Sequence, residues 1–152
     1  MARGFPLQLV LDLAVRHAEE KSREAKRAHG EWLRARGRRA QILALRDERI
    51  TELASQLRPG LPAEQLRARV RLLQMQEAEL VNTTQNVETT YQAWQAKLAL
   101  WLQLQDRVKA LKVLEQRHLD ARVVQARRVE QRQHDELAQV TRFWRRDSRD
   151  VM

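Results

Sequence analysis

The side chains best suited to chemistry near neutral pH are four histidines, His17, His29, His118 and His134. A helical metal site needs two such ligands one turn apart, at i and i+4. Here the nearest two, His17 and His29, lie twelve positions apart. There is no cysteine, which excludes disulfide, CxxC redox and thiolate chemistry. The sequence also lacks a glycine-rich phosphate loop, a GxSxG elbow and an HExxH pair. Carboxylates are plentiful, but on an exposed helical surface they stay hydrated and cannot be tuned into acid and base roles. The run Glu19, Glu20, Lys21, Arg23 and Glu24 reads as a solvated face held by pairs one turn apart. The reading is a chain with no enzymatic activity, no metal, no cofactor and no small-molecule substrate.

Partners must then explain the charge. Lys+Arg number 29 against 20 Asp+Glu, for a formal net charge of +9. The excess sits at the two ends, with 13 basic and 8 acidic side chains in 1–62, 4 of each in 63–105, and 12 and 8 in 106–152. Such a balance attracts acidic surfaces, whether nucleic acid, anionic lipid or protein. Acids interleave with the bases and no nucleic-acid motif occurs, which argues against nucleic acid. A membrane-surface role is disfavoured because the apolar faces are taken up by helix pairing. No stretch nears the roughly 18 apolar residues of a membrane span, and Gln8 and Asp12 interrupt the apolar start. The expectation is a soluble, cytoplasmic chain with no targeting segment.

The elements that carry these residues are helices. Only three prolines and four glycines occur, too few turn signals for a sheet protein, and strong helix formers dominate. Pro6 stands at the head of the first periodic stretch, where a missing N–H costs nothing. Arg58-Pro59-Gly60-Leu61-Pro62 supplies a stop, a turn and a restart, and no proline or glycine follows. The spacing predicts one coiled-coil domain over 1–152: helix one at about 6–57, a turn at 58–62, helix two at about 63–146 and a frayed tail at 147–152. Gly30 and Gly37, nearly opposite the polar run 82–86, suggest a flexible waist.

The apolar period is that of a coiled coil. From Leu66 a 4-3 alternation reaches Val70, Leu73, Glu77, Leu80, Thr84, Val87, Tyr91, Trp94, Leu98 and Trp101. Helix one alternates through Leu11, Ala14, Ala18, Lys21, Ala25, Ala28, Trp32, Ala35, Arg39 and Ile42, then shifts to Leu43, Arg46, Ile50, Leu53 and Leu57. Folding back at Gly60 sets opposite one another residues whose numbers sum to about 120. That places Trp94 against Ala25 and Ala28, Trp101 against Ala18, and Trp32 against Val87. Large indoles facing small residues fill a close-packed seam, so the tryptophans read as core. The fold expected is all-α, a long antiparallel two-helix coiled coil with a C-terminal helical overhang. The overhang, 115–146, resumes a stripe at Leu119, Val123, Ala126, Glu130, Gln133, Leu137, Val140 and Trp144 after a register slip near Leu104. An apolar stripe without a partner is unfavourable in water.

Within that overhang stands Glu130-Gln131-Arg132-Gln133-His134-Asp135-Glu136-Leu137-Ala138. Here the chain resembles the FliJ family, coiled-coil components of the flagellar protein-export apparatus. That family's last helix carries Glu/Asp-Gln-Lys/Arg-x-x-Asp-Glu-x-Ala, matched by Glu130, Gln131, Arg132, Asp135, Glu136 and Ala138. Phe5-Pro6-Leu7-Gln8, Leu11-Asp12-Leu13-Ala14, the Trp94/Trp101 heptad and a turn near 60 extend the likeness over nearly the whole chain. It departs from the family at the end of helix one, where Arg46-Asp47-Glu48-Arg49 replaces the usual aromatic residue.

The resemblance implies a non-enzymatic stalk that binds in the pore of the hexameric export ATPase and promotes its assembly and activity. It further implies contact with the cytoplasmic part of the membrane export gate, dealings with export chaperones, and peripheral association with the inner face of the cell membrane at the flagellar base. Carried onto this sequence, it assigns the ATPase contact to Glu130, Gln131, Arg132, Asp135 and Glu136, and a gate contact to Leu72 and Met75. Two alternatives share the bare sequence pattern: the equivalent stalk of a virulence secretion system, and a basic coiled coil that binds nucleic acid.

Overall fold

The computed structural model describes residues 4–57 and 60–150. Two helices account for nearly all of them, α1 (Gln8–Gln56) and α2 (Ala63–Asp150). They pack antiparallel as an all-α helical hairpin, the fold class that the periodicity predicts. Helix α1 starts two residues after Pro6, with the Gln8 N–H donating to the Phe5 carbonyl at 3.0 Å. Gly60 takes φ 104°, a left-handed conformation that glycine adopts without the Cβ clash. The Pro62 carbonyl accepts from the Gln65 and Leu66 N–H groups, and Glu64 lies at the positive end of the α2 dipole. Arg58 and Pro59 of the expected turn, and Val151 and Met152 of the expected tail, lie outside the described residues. Helix α2 runs on to Asp150, four residues past the end that the sequence suggests.

Contacts divide the chain into two compact units, Arg16–Gln105 and a second formed by Met1–Val15 with Asp106–Met152. In the first, the alanine positions of α1 are buried as the period requires: Ala18, Ala25 and Ala35, with Ile42 beyond them. The 4-3 alternation then continues through Arg46, Arg49 and Leu53 without the expected shift, leaving Ile50 and Leu57 exposed. On α2 the inward positions are Leu73, Gln76, Leu80, Thr83, Val87, Thr90 and Trp94, with Thr90 in the place expected of Tyr91. Half of the expected alternation is therefore displaced by one residue, with Gln76 and Thr83 buried where Glu77 and Thr84 were expected. The physical reason is charge. Glu77 stays at the edge, where Arg46 Nη1 donates to it at 3.1 Å, and a neutral amide enters the seam instead of a carboxylate. Thr83 is buried at little cost because its hydroxyl donates to the Glu79 and Leu80 carbonyls.

The pairing is also advanced along α2. Trp32/Tyr91, Arg39/Thr84 and Arg46/Glu77 each sum to 123 rather than 120. Trp32 consequently stacks on Trp94, with centroids 5.0 Å apart, instead of on Val87. Both helices run unbroken past Gly30, Gly37 and 82–86, where Arg39 Nε donates to the Thr84 hydroxyl at 3.0 Å.

Two predictions follow from these seams. Gln76 Oε1 is buried without a hydrogen-bond donor, so Gln76→Leu is expected to raise stability by about 1–2 kcal/mol, read from thermal or urea unfolding. A loss of stability would mean that the amide is satisfied in solution. The second concerns Glu24, bridged by Lys21 Nζ at 3.2 Å and by Lys97 Nζ, from the facing helix, at 3.3 Å. The hydrogen bonds from Lys21 and then Lys97 hold its carboxyl below its usual pKa. A depressed carboxylate pKa stabilises the fold above the unfolded-state value and loses that contribution as pH falls through the folded one. Stability should therefore fall on acidification below about pH 4.5, and less steeply in Glu24→Gln. Identical acid slopes for the two proteins would show that the bridge adds nothing.

Candidate functional site

Within the second unit, Leu11 and Ala14 are buried together with Val108 and Leu111, and Phe5 packs its ring against His118 at 5.7 Å. His118 is the last part-covered residue of α2, and every residue from Leu119 to Asp150 is exposed. The overhang thus begins four residues later than the expected 115 and spans about 48 Å of helix at about 1.5 Å per residue.

Its surface has two properties. The first is the apolar stripe, with Leu119 45%, Val123 51%, Leu137 64%, Val140 52% and Trp144 66% exposed. The stripe is not a continuation of the seam. The seam of this unit runs Val108, Leu111, Glu115, His118, and the same alternation carried forward gives the mostly polar series Arg122, Gln125, Val129, Arg132, Glu136 and Gln139. The stripe is offset from that series by one residue, a rotation of about 100° around the helix.

The second property is charge. Gln131 Nε2 donates to Asp135 Oδ1 at 3.2 Å, so the structure brings these two candidates together. Arg132 and Glu136 occupy the adjoining face one turn apart, without an ion pair among the described residues, and Glu130 stands on the apolar stripe. The five residues therefore surround the helix instead of forming one patch. All are exposed, which leaves their charges fully hydrated and available.

The gate candidates lie elsewhere. Leu72 is 43% and Met75 69% exposed, just past the turn on α2. Leu72 lines a shallow groove with Leu53, Leu73, Arg49 and Arg69, whereas Met75 stands outside it.

Two features escaped the sequence reading. One is a ring cluster of His29, Trp32, Tyr91 and Trp94, with centroids 4.6–6.0 Å apart and the Arg36 guanidinium 4.7 Å above Trp32. Only the three-residue advance of α2 assembles it. The other is Arg142, Arg145, Arg146 and Arg149 beside Phe143. Their i, i+3, i+4, i+7 spacing was legible in the sequence as a one-sided basic face. Among the described residues no group of His, Asp and Glu could hold a metal, and no helix is long and apolar enough to cross a membrane.

Comparison with known proteins agrees with the motif and the hairpin. The family model described as "Flagellar FliJ protein" matches residues 3–148. No curated protein and no solved structure matches the chain. Members of this family are non-enzymatic components of the flagellar export apparatus. With a match that takes in both helices, the turn between them and the overhang, the chain belongs to the FliJ family.

Proposed function

We propose that this chain is the coupling stalk of a flagellar export ATPase, with the overhang from Leu119 onward as its working part. The observation that carries this reading is the complete exposure of 119–150, a helix with an apolar stripe and hydrated charges of both signs. A helix in a protein gains most of its stability from tertiary packing of its apolar face, so an uncovered segment this long implies a partner that covers it. Glu130, Gln131, Arg132, Asp135 and Glu136 are distributed around the helix, which suits a partner that encircles it, as the loops lining a hexamer's pore do. In this role the chain promotes assembly and activity of the ATPase and performs no chemistry itself.

Near the turn, Leu72 and Met75 offer apolar area to the cytoplasmic part of the export gate. Export chaperones are the third class of partner, and the location is the inner face of the membrane at the flagellar base. The flagellar system is favoured over its virulence equivalent by the family match.

The test is the hydrolysis rate of the cognate ATPase with and without the protein at about 150 mM salt, where weak surface attraction is screened. The intact chain should stimulate, while Asp135→Ala/Glu136→Ala and a truncation after Arg117 should both lose the effect. Full stimulation by the truncated chain would remove the overhang from the mechanism. One observation favours a second reading, the arginine face at 142–149. A basic coiled coil bound to nucleic acid would lose roughly 10³-fold in affinity between about 50 and 200 mM salt for six or more phosphate contacts. Salt-insensitive ATPase stimulation without nucleic-acid binding would dismiss it.

A further inference from the structure

We infer that the overhang stripe pairs with the same stripe of a second copy of this chain, antiparallel about a two-fold axis between Gln131 and Arg132. Three observations point to this occupant. The stripe begins where cover by α1 stops and is rotated by about 100° from the hairpin seam, so it belongs to a second interface with its own partner. Its spacing, 4-3-4-3-4-3-4 from Leu119 to Trp144, reads the same in both directions, as an isologous antiparallel seam requires. Its residues are also complementary under that operation.

In the antiparallel pair Trp144 lies opposite Leu119 of the second copy, Val140 opposite Val123, Leu137 opposite Ala126, and Glu130 opposite Gln133. Large faces small at the leucine–alanine layers, as a packed seam needs. At the centre the Gln133 amide can donate to the Glu130 carboxylate. The two-fold axis repeats this contact, giving two adjacent central polar layers, and buried polar layers of this kind fix register and orientation in coiled coils. A parallel in-register pair would set Glu130 against Glu130, Leu137 against Leu137 and Ala126 against Ala126, combining like charge with mismatched volumes. Eight stripe positions per copy cover on the order of 1,300 Å² in total, within the range of specific interfaces and at its weaker end. The pair should therefore form at micromolar concentration and dissociate on dilution.

Pairing covers Glu130 and Gln133 and one side of the helix that a surrounding partner would need. If the overhang is the ATPase contact, the dimer is a closed, inactive store of the protein. That consequence rests on the function proposed above; the pairing does not.

The chain's lack of cysteine makes disulfide trapping unambiguous. Val123→Cys and Val140→Cys, carrying tags of different size, would be mixed at about 50 µM and oxidised. Antiparallel pairing predicts that the mixed disulfide exceeds either homodisulfide at least tenfold. Sedimentation equilibrium of the unmodified chain should give a dimer at that concentration, and Leu137→Asp should give a monomer with an unchanged helical CD spectrum. A monomer throughout, or the three disulfides in statistical proportion, overturns the pairing. Predominance of the Val123→Cys homodisulfide would mean parallel association and overturns it equally. The trapped dimer should fail to stimulate the ATPase until reduced. Failure both before and after reduction would count against the ATPase reading and leave the disulfide result standing.

Discussion

Replacing Trp94 by alanine is expected to lower the stability of the hairpin by about 3–5 kcal/mol, read as a shift of the urea midpoint at constant slope. The indole of Trp94 meets three other rings, His29 at 4.6 Å, Trp32 at 5.0 Å and Tyr91 at 6.0 Å. Its removal takes away large apolar burial, a stacked pair and an edge-on pair together, and ring pairs contribute beyond their area. The buried residues of this unit are Ala18, Ala25, Ala35, Ile42, Gln76 and Thr83, mostly small or polar side chains that cannot close around the gap. The contrast within the chain is Trp144, 66% exposed, whose replacement by alanine should change the stability of the monomer by no more than about 0.5 kcal/mol. Equal losses for the two variants would mean that the cluster does not hold the helices together.

Amide exchange provides the second large effect. In the free protein at about 1 µM, below the concentration at which copies would pair, amides from Leu119 to Asp150 have only the helix itself to protect them. They should exchange on the order of 100-fold faster than amides around Trp94, and slow by a comparable factor when the ATPase is added. Protection should appear on all sides of the helix if the partner surrounds it, and most strongly near Glu130–Glu136. Equal protection of the overhang in the free and the ATPase-bound protein would sink the stalk mechanism. Slow exchange in the free protein at high concentration, lost on dilution, would be the signature of self-pairing.

The hairpin itself was legible because its determinants are local. Gly60 between two prolines fixes the reversal, the absence of both residue types afterwards lets α2 run for 88 residues, and alanine spacing marks the inner face of α1. The α1 seam from Leu11 to Ile42 was readable residue by residue, since its alanines recur at an unbroken 4-3 spacing. On α2 apolar residues occupy neighbouring positions, and a period alone cannot choose between Gln76 and Glu77 or between Thr83 and Thr84. That choice is made by the facing helix, where Arg46 and Arg39 reach the outer member of each pair.

The candidate site divides in the same way. Sequence alone determined that α2 outlasts its partner, that the motif from Glu130 to Ala138 lies on the uncovered part, and that the chain belongs with helical export components. The charges at 130–136 were equally readable, because an exposed helix displays what its spacing dictates. Tertiary structure alone decided where cover ends, at His118, and that the apolar stripe beyond it points about 100° away from the seam. It also decided that Trp32 meets Trp94. Each of these depends on the axial offset between two helices, which is set by the sum of ring stacking, ion pairing and burial along their whole contact and is written in no single residue.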